Sequence, residues 1–186
     1  MSPVTTSPEA AAAAQSLFRV ALGGVLIAHW SQKLFGWFGG GGLEGTSKGM
    51  HAMGFRPAKP SAILAGVGEA GAGAALALGL ATPAAGAAAA TTMGVAASVH
   101  APNGFFATEG GLEYPAVLGM AAAAFTIGGS GPFSLDALTG HVLDRPWMRV
   151  TALAVIPAAI GAQIYRRRKA LASDTPAPAP VAATEG

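Results

Sequence analysis

The 186-residue sequence predicts an all-α integral membrane protein: a four-helix transmembrane bundle followed by a fifth, C-terminal transmembrane helix. Only 11% of the residues are charged, against about 25% in a soluble domain, too few to cover a soluble particle of this size. The stretches between charges are continuous runs of Ala, Gly, Leu and Val, not the alternating segments of about ten residues that a membrane barrel needs. Ala, Leu and Met also favour helix over strand. Cysteine is absent, which removes structural disulfides, CxxC redox pairs, c-type haem attachment and thiolate metal sites. A soluble enzyme, a disulfide scaffold and a nucleic-acid binder are set aside on these grounds. The net charge of +2 says little about partners, because four basic residues sit in one run.

Residues 1–15 hold one charge, Glu9, and no basic residue. They lack the basic region of a secretory signal and are expected as a disordered or weakly helical tail. A bilayer core about 30 Å thick takes roughly 20 helical residues, and five apolar segments follow. The first is Ser16–Phe38, with Trp30 and Trp37 near the end where amphipathic rings favour the interface. The second, Ser61–Ala81, is opened by Pro60, and the third, Pro83–Ala101, by a proline suited to a first helical turn. The fourth, Tyr114–Ser130, is short, with Pro115 in its first turn. The fifth, Trp147–Tyr165, has aromatic anchors at both ends. Gly39–Gly42 lacks the Lys-Ser/Thr of a P-loop and reads as a flexible linker in a long loop. Residues 166–186 are a basic run and then a Pro/Ala-rich tail expected to be disordered. Gly66, Ala70 and Ala74, and Gly68 with Ala72, offer small-residue seams for close helix packing.

Basic residues near span ends set orientation. Lys48, Arg56 and Lys59 in the first long loop share a side with Arg166–Lys169 when five spans are drawn. That places the N-terminus outside and the C-terminus in the cytoplasm. The basic run is read as a topology signal.

Ionisable groups at membrane depth cost at least ~2.5 kcal/mol each and are functional candidates by default. Measured from the face carrying the long loop, Lys33 lies ~7 Å deep, His29 ~13 Å and Glu69 ~12 Å. His100 and Glu113 fall close to that face. Five ionisable side chains from four helices thus gather in one half of the bundle. His29 and Lys33, four apart, share a helix face, and Gly73 leaves room beside Glu69. The architectural alternative is that Lys33 and Glu69 pair to set packing register, that His100 is a hydrogen-bonding residue at a helix end, and that Glu113 is a first-turn carboxylate favoured by the dipole. Arg19 and Asp136 fall toward the other face and are expected as a second, structural pair.

The quoted residues form a larger pattern. Phe18-Arg19 is followed by Ala28-His29-Trp30-Ser31-Gln32-Lys33-Leu34-Phe35-Gly36. Then come Gly68-Glu69, Leu78-Gly79-Leu80-Ala81-Thr82-Pro83, Met93 and His100. Asn103-Gly104-Phe105-Phe106, Gly110-Gly111-Leu112-Glu113-Tyr114 and Gly131-Pro132-Phe133-Ser134-Leu135-Asp136 complete it. In order and spacing, from about residue 17 to 136, this resembles the DoxX family of small bacterial and archaeal membrane proteins. The resemblance implies a four-helix core and association with membrane oxidoreductase systems. Related proteins include a small subunit of thiosulfate:quinone oxidoreductase, and others are proposed to join detoxifying enzymes in an oxidative-stress complex. It marks Lys33, Glu69, His100 and Glu113 as matching the family's polar positions. A sulfur-carrying thiol, if the chemistry uses one, has to come from a partner.

Three functions compete. In the first, the chain is the membrane subunit of a quinone-linked oxidoreductase or oxidative-stress system. Lys33, Glu69, His100, Glu113 and His29 then form a polar, proton-passing pocket, and Glu69, His100 and Tyr114 bind a quinone head group. In the second it is a non-catalytic anchor or assembly subunit, which the missing cysteine and nucleotide motifs favour. In the third it is a small proton-coupled transporter, against which the lack of an evident repeat argues. A haem between His29 and His100 is disfavoured by a depth difference of ~11 Å. No metal site is assigned, because no Glu-x-x-His pattern occurs on these helices. The expected partners are lipid and a soluble or membrane redox protein, with a homo-oligomer left open.

Overall fold

The computed structural model describes residues 7–174. The first residues of the expected N-terminal tail and the Pro/Ala-rich end of the chain lie outside that range. Among the described residues the structure is helical throughout, without strands.

Helix α1 (Pro8–Phe35) begins well before Ser16, so residues 8–15 are helix rather than tail. The Ser7 hydroxyl accepts from the Ala10 N–H at 3.2 Å, Pro8 occupies the first turn, and an alanine run follows. Those are the elements of a helix start. The helix stops at Gly36, whose left-handed backbone (φ 74°) lets its N–H donate to the Gln32 carbonyl. A 3-10 turn at Trp37–Gly39 replaces the end of the expected first span. The presumed linker and loop contain a helix of their own, α2 (Gly42–Ala52). It lies against α1 and α3 (Ala58–Leu78), and the Thr46 hydroxyl donates to the Lys33 carbonyl at 3.0 Å.

Helices α4 (Thr82–His100) and α5 (Glu113–Gly128) follow, joined by two 3-10 turns. After the short α6 (Leu135–Leu138) comes α7 (Pro146–Ser173). Helix α7 continues through the basic run, which the sequence places in a tail. Contacts hold that extension: Arg167 Nε donates to the Met53 carbonyl at 2.7 Å, and Arg56 meets Asp174 at 2.5 Å.

The five apolar segments therefore fall on α1, α3, α4, α5 and α7. Three of these, α1, α3 and α7, are long and apolar enough to cross a membrane by themselves. Helix α5 has 16 residues, or about 24 Å at the helical rise. Helix α4 has 19 residues rich in Ala, Thr and Gly, and buries eight of them between its neighbours.

Helix α1 packs on α3, α3 on α4, and α4 on α5. Helix α5 touches α1 again, partly through the Phe18–Phe125 ring pair at 5.8 Å. Helix α7 lies outside that ring against α4 and α5. The core is small and apolar: Leu22, Leu26, Leu76, Met93 and Phe125 among alanines.

The α1–α3 contact uses Gly23 against Gly73. A Cβ on Gly73 would sit 2.7 Å from the Gly23 carbonyl oxygen, so only glycine permits this approach. The expected seam is thereby corrected. Gly66 and Gly73 are in contact, against Leu34 and Gly23 respectively, whereas Gly68 faces open space and Ala74 is exposed. The inward face of α3 repeats every three to four residues (Ala62, Gly66, Glu69, Gly73, Leu76), and Glu69 lies in its middle.

Candidate functional site

Two polar clusters occupy the bundle. The first lies among α1, α3 and α5. Glu69 is 2% exposed, and Lys33 Nζ donates to both of its carboxylate oxygens at 2.6 Å. The Gly23–Gly73 contact brings α1 close enough for Lys33 to reach across. One turn before Lys33, His29 Nε2 is hydrogen-bonded to the Tyr114 hydroxyl at 2.9 Å, with ring centroids 5.6 Å apart. His29 lies within electrostatic range of Lys33, and Tyr114 within range of Glu69. Lys33 is 26% exposed and Tyr114 46%, so the carboxylate is sealed while the other members reach the bundle surface. This arrangement can hold a proton between the imidazole and the phenol and present a hydrogen-bonding edge beside a buried ion pair.

His100 and Glu113 are placed differently. His100 Nδ1 donates to the Gly110 carbonyl at 2.8 Å, beside Asn103 Nδ2 at 3.2 Å. The Glu113 carboxylate accepts from the Ala107 N–H at 3.0 Å. Both side chains tie down the 101–112 loop, and neither contacts Glu69. Phe105 and Phe106, in edge-on contact at 5.4 Å, project from that loop and are exposed. Of the residues that the sequence suggests for a head-group pocket, Tyr114 joins the Glu69 cluster through His29, and His100 stays with the loop. Two surface cavities, of about 660 Å³ and 500 Å³, are lined by other residues.

The second cluster sits at the opposite end. Arg19 is buried, and its guanidinium donates to the Ser130 carbonyl and, at 2.7 Å, to the Phe133 carbonyl. Asp136 does not pair with it directly. Its two oxygens accept from the Ala81 and Thr82 N–H groups at 2.8 and 3.0 Å, capping the start of α4. Carboxylates at a helix start are favoured by the free N–H groups and the dipole there. The expected Arg19–Asp136 ion pair is thus replaced by two side chains that each hold backbone. Gly79 makes room for them: it has φ 65°, and a Cβ there would meet Arg19 Nη1 at 2.5 Å.

Asp144, which the sequence reading does not single out, completes this end. It accepts from the Ser130 N–H and hydroxyl, both at 2.9 Å, and from Arg149 Nε at 2.7 Å. Burial pushes this carboxyl up. The hydrogen bonds from Arg149 and Ser130, with the Arg149 charge, outweigh that and hold it below the usual carboxylate range. Ser130, His141 and Asp144 are the residue types of a nucleophilic triad. Here the serine donates to the carboxylate itself, so the group is a fastening between loop and helix. The only signal for it in the sequence is the basic residue five positions after an aspartate, which is too common to be read.

Among the described residues no group of three or more His, Asp or Glu side chains gathers as metal ligands would. Comparison with known proteins gives one match: the DoxX family model covers residues 14–101, which supports DoxX family membership over that region. The matched region contains Arg19, His29, Lys33, Glu69 and His100, and stops short of Glu113 and Tyr114. No curated protein and no solved structure matches.

Proposed function

We propose that the chain is the multi-pass membrane subunit of a quinone-linked oxidoreductase or oxidative-stress system in a bacterial plasma membrane. In this reading α1, α3, α4 and α5 cross the bilayer as a bundle and α7 as a fifth span. The N-terminus is outside and the C-terminus cytoplasmic, on the side of Lys48, Arg56, Lys59 and Arg166–Lys169. The observation that carries the functional reading is the Lys33–Glu69 pair, its carboxylate buried, bordered by the His29–Tyr114 hydrogen bond. Ionisable groups held at membrane depth are expensive, and Lys33 and Tyr114 reach the bundle surface beside the enclosed Glu69 carboxylate.

The donor set fits a quinone head group, whose carbonyl oxygens accept hydrogen bonds from a phenol or an imidazole. A bound quinone would supply two-electron chemistry with uptake of two protons. This chain's part is to orient the head group through Tyr114 and His29, and to hold a proton at His29 Nε2 or the Tyr114 oxygen. Lys33 neutralises Glu69 beside them. In this reading the electrons come from a redox partner.

The test is purification of the native assembly in mild detergent, followed by quinone-reduction assays. Wild-type assemblies should reduce a soluble quinone, and His29→Gln assemblies of the same composition should do so several-fold more slowly. Unchanged turnover with His29→Gln leaves the anchor reading. A specific observation favours that alternative: His100 and Glu113 are both engaged with loop backbone.

A further inference from the structure

The 660 Å³ cleft lies at the end of the bundle where α7 leaves the apolar span and α3 begins. Its lining changes character along its length. Leu64 and Tyr165 form an apolar wall on the side of the spans, and Arg56, Arg166, Arg167 and Lys169 form a cationic rim. Two of those cations are engaged in building the cleft. Arg167 holds the Met53 carbonyl and Arg56 holds Asp174, which pins α7 to the α2–α3 connection. Arg166 and Lys169 make no hydrogen bond or ion pair among the described residues, and both are exposed. A volume of this size falls in the range of about 300–1,000 Å³ typical of small-molecule sites.

We propose that this cleft binds the phosphodiester head group of one anionic phospholipid, with its acyl chains along Leu64 and Tyr165. The position argues for lipid over a soluble anion. Arg166 directly follows Tyr165 and Lys169 stands one turn beyond it, at head-group level, and the apolar wall below them would be wasted on a free phosphate. Basic pockets between membrane helices at this level are suited to anionic head groups. The site is independent of the quinone reading: it lies on α3 and α7 and uses none of His29, Lys33, Glu69 or Tyr114.

The full-length protein, purified from membranes and exchanged into detergent with equal phosphatidylglycerol and phosphatidylcholine, would be examined by native mass spectrometry. Wild-type protein should retain one phosphatidylglycerol per chain in preference to phosphatidylcholine. The double variant Arg166→Gln, Lys169→Gln keeps Arg56, Arg167 and Arg168, and should retain it roughly tenfold to thirtyfold more weakly. Lys48→Gln removes a cation on the same face outside the cleft and should leave retention unchanged. Equal retention of the two lipids by wild-type protein overturns the proposal without reliance on any variant. So does undiminished retention by a double variant of normal helix content. Displacement of the lipid by excess inorganic phosphate would overturn it in favour of a soluble-anion site.

Discussion

The two polar clusters use the same residue types for opposite purposes. At the Asp136–Asp144 end, the buried charged groups Arg19, Asp136 and Asp144 each hold backbone. Asp136 caps α4, Arg19 grips two loop carbonyls, and Asp144 joins Ser130 to Arg149. In the Lys33–Glu69 cluster no charged side chain holds backbone. Glu69 meets only Lys33, and His29 meets only Tyr114. Charges that satisfy backbone groups are explained by folding alone, since an unpaired buried N–H or C=O is costly. Charges that satisfy only one another are not required for closing the chain. An apolar pair of similar size would pack there at little or no cost. The comparison therefore separates architecture from candidate chemistry more sharply than depth in the membrane does.

The largest effect should come from the architectural end. Asp136→Ala strands two backbone donors, the buried Thr82 N–H and the half-buried Ala81 N–H. At roughly 1–3 kcal/mol per stranded group, it should cost about 2–6 kcal/mol. Thermal unfolding in detergent would measure this, with the exposed Glu44→Gln as the reference. A melting point indistinguishable from that reference would remove the distinction drawn here.

Next is Glu69→Gln. A fully buried pair loses about 3–5 kcal/mol when one partner is removed. Lys33 is 26% exposed and can turn outward, so about 2–4 kcal/mol is expected here. Adding Lys33→Met to Glu69→Gln should recover most of that loss, because the stranded charge is gone. No apolar replacement should rescue Asp136→Ala, since its backbone donors remain. Rescue in both places, or in neither, would mean that the two clusters are energetically alike.

Asp144 gives a pH test of the architectural end. Its carboxyl titrates below the usual range when folded, so the ionised form is the one that stabilises. That stabilisation is complete above the ordinary aspartate value of about 3.9. It fades as the pH falls through that value toward the lowered folded one. The melting-point gap between wild type and Asp144→Asn should therefore be widest near neutrality and narrow in acid. A gap independent of pH would assign the stabilisation to shape instead of charge.

Legibility in the sequence followed the physics of each element. The long apolar runs are visible because periodicity and composition act over many residues. Lys33 and Glu69 are legible as neighbours because helical rise converts residue number into depth. The α2 helix is hidden because four consecutive glycines read as linker, yet tertiary contact with α1 and α3 overrides that weak local preference. The extension of α7 is hidden because a cationic run normally marks the end of a span. His100 and Glu113 show where local partners win: they lie toward the same face as the Lys33–Glu69 cluster, but carbonyl and N–H groups a few residues away satisfy them first. Asp144 lies in a loop without periodicity, and its role depends on chain reversal between α5 and α7.

The smallest expected change in stability tests the functional half of the comparison. Tyr114→Phe keeps the ring and deletes only the oxygen that bonds His29. A neutral hydrogen bond is worth about 0.5–1.5 kcal/mol, and at a 46% exposed site water replaces it, so the lower end applies. The melting point should hardly move. If the His29–Tyr114 edge handles protons, quinone reduction by the native assembly should slow, and the midpoint of its pH profile should shift, because His29 loses the partner that sets its tautomer. If the edge is only packing, turnover and midpoint should both match wild type. The pairing of a negligible change in stability with a displaced pH profile is what architecture alone does not produce. An undisplaced profile in Tyr114→Phe, together with unchanged turnover in His29→Gln, would leave the chain an anchor whose Lys33–Glu69 cluster, like the Asp136–Asp144 end, serves the fold.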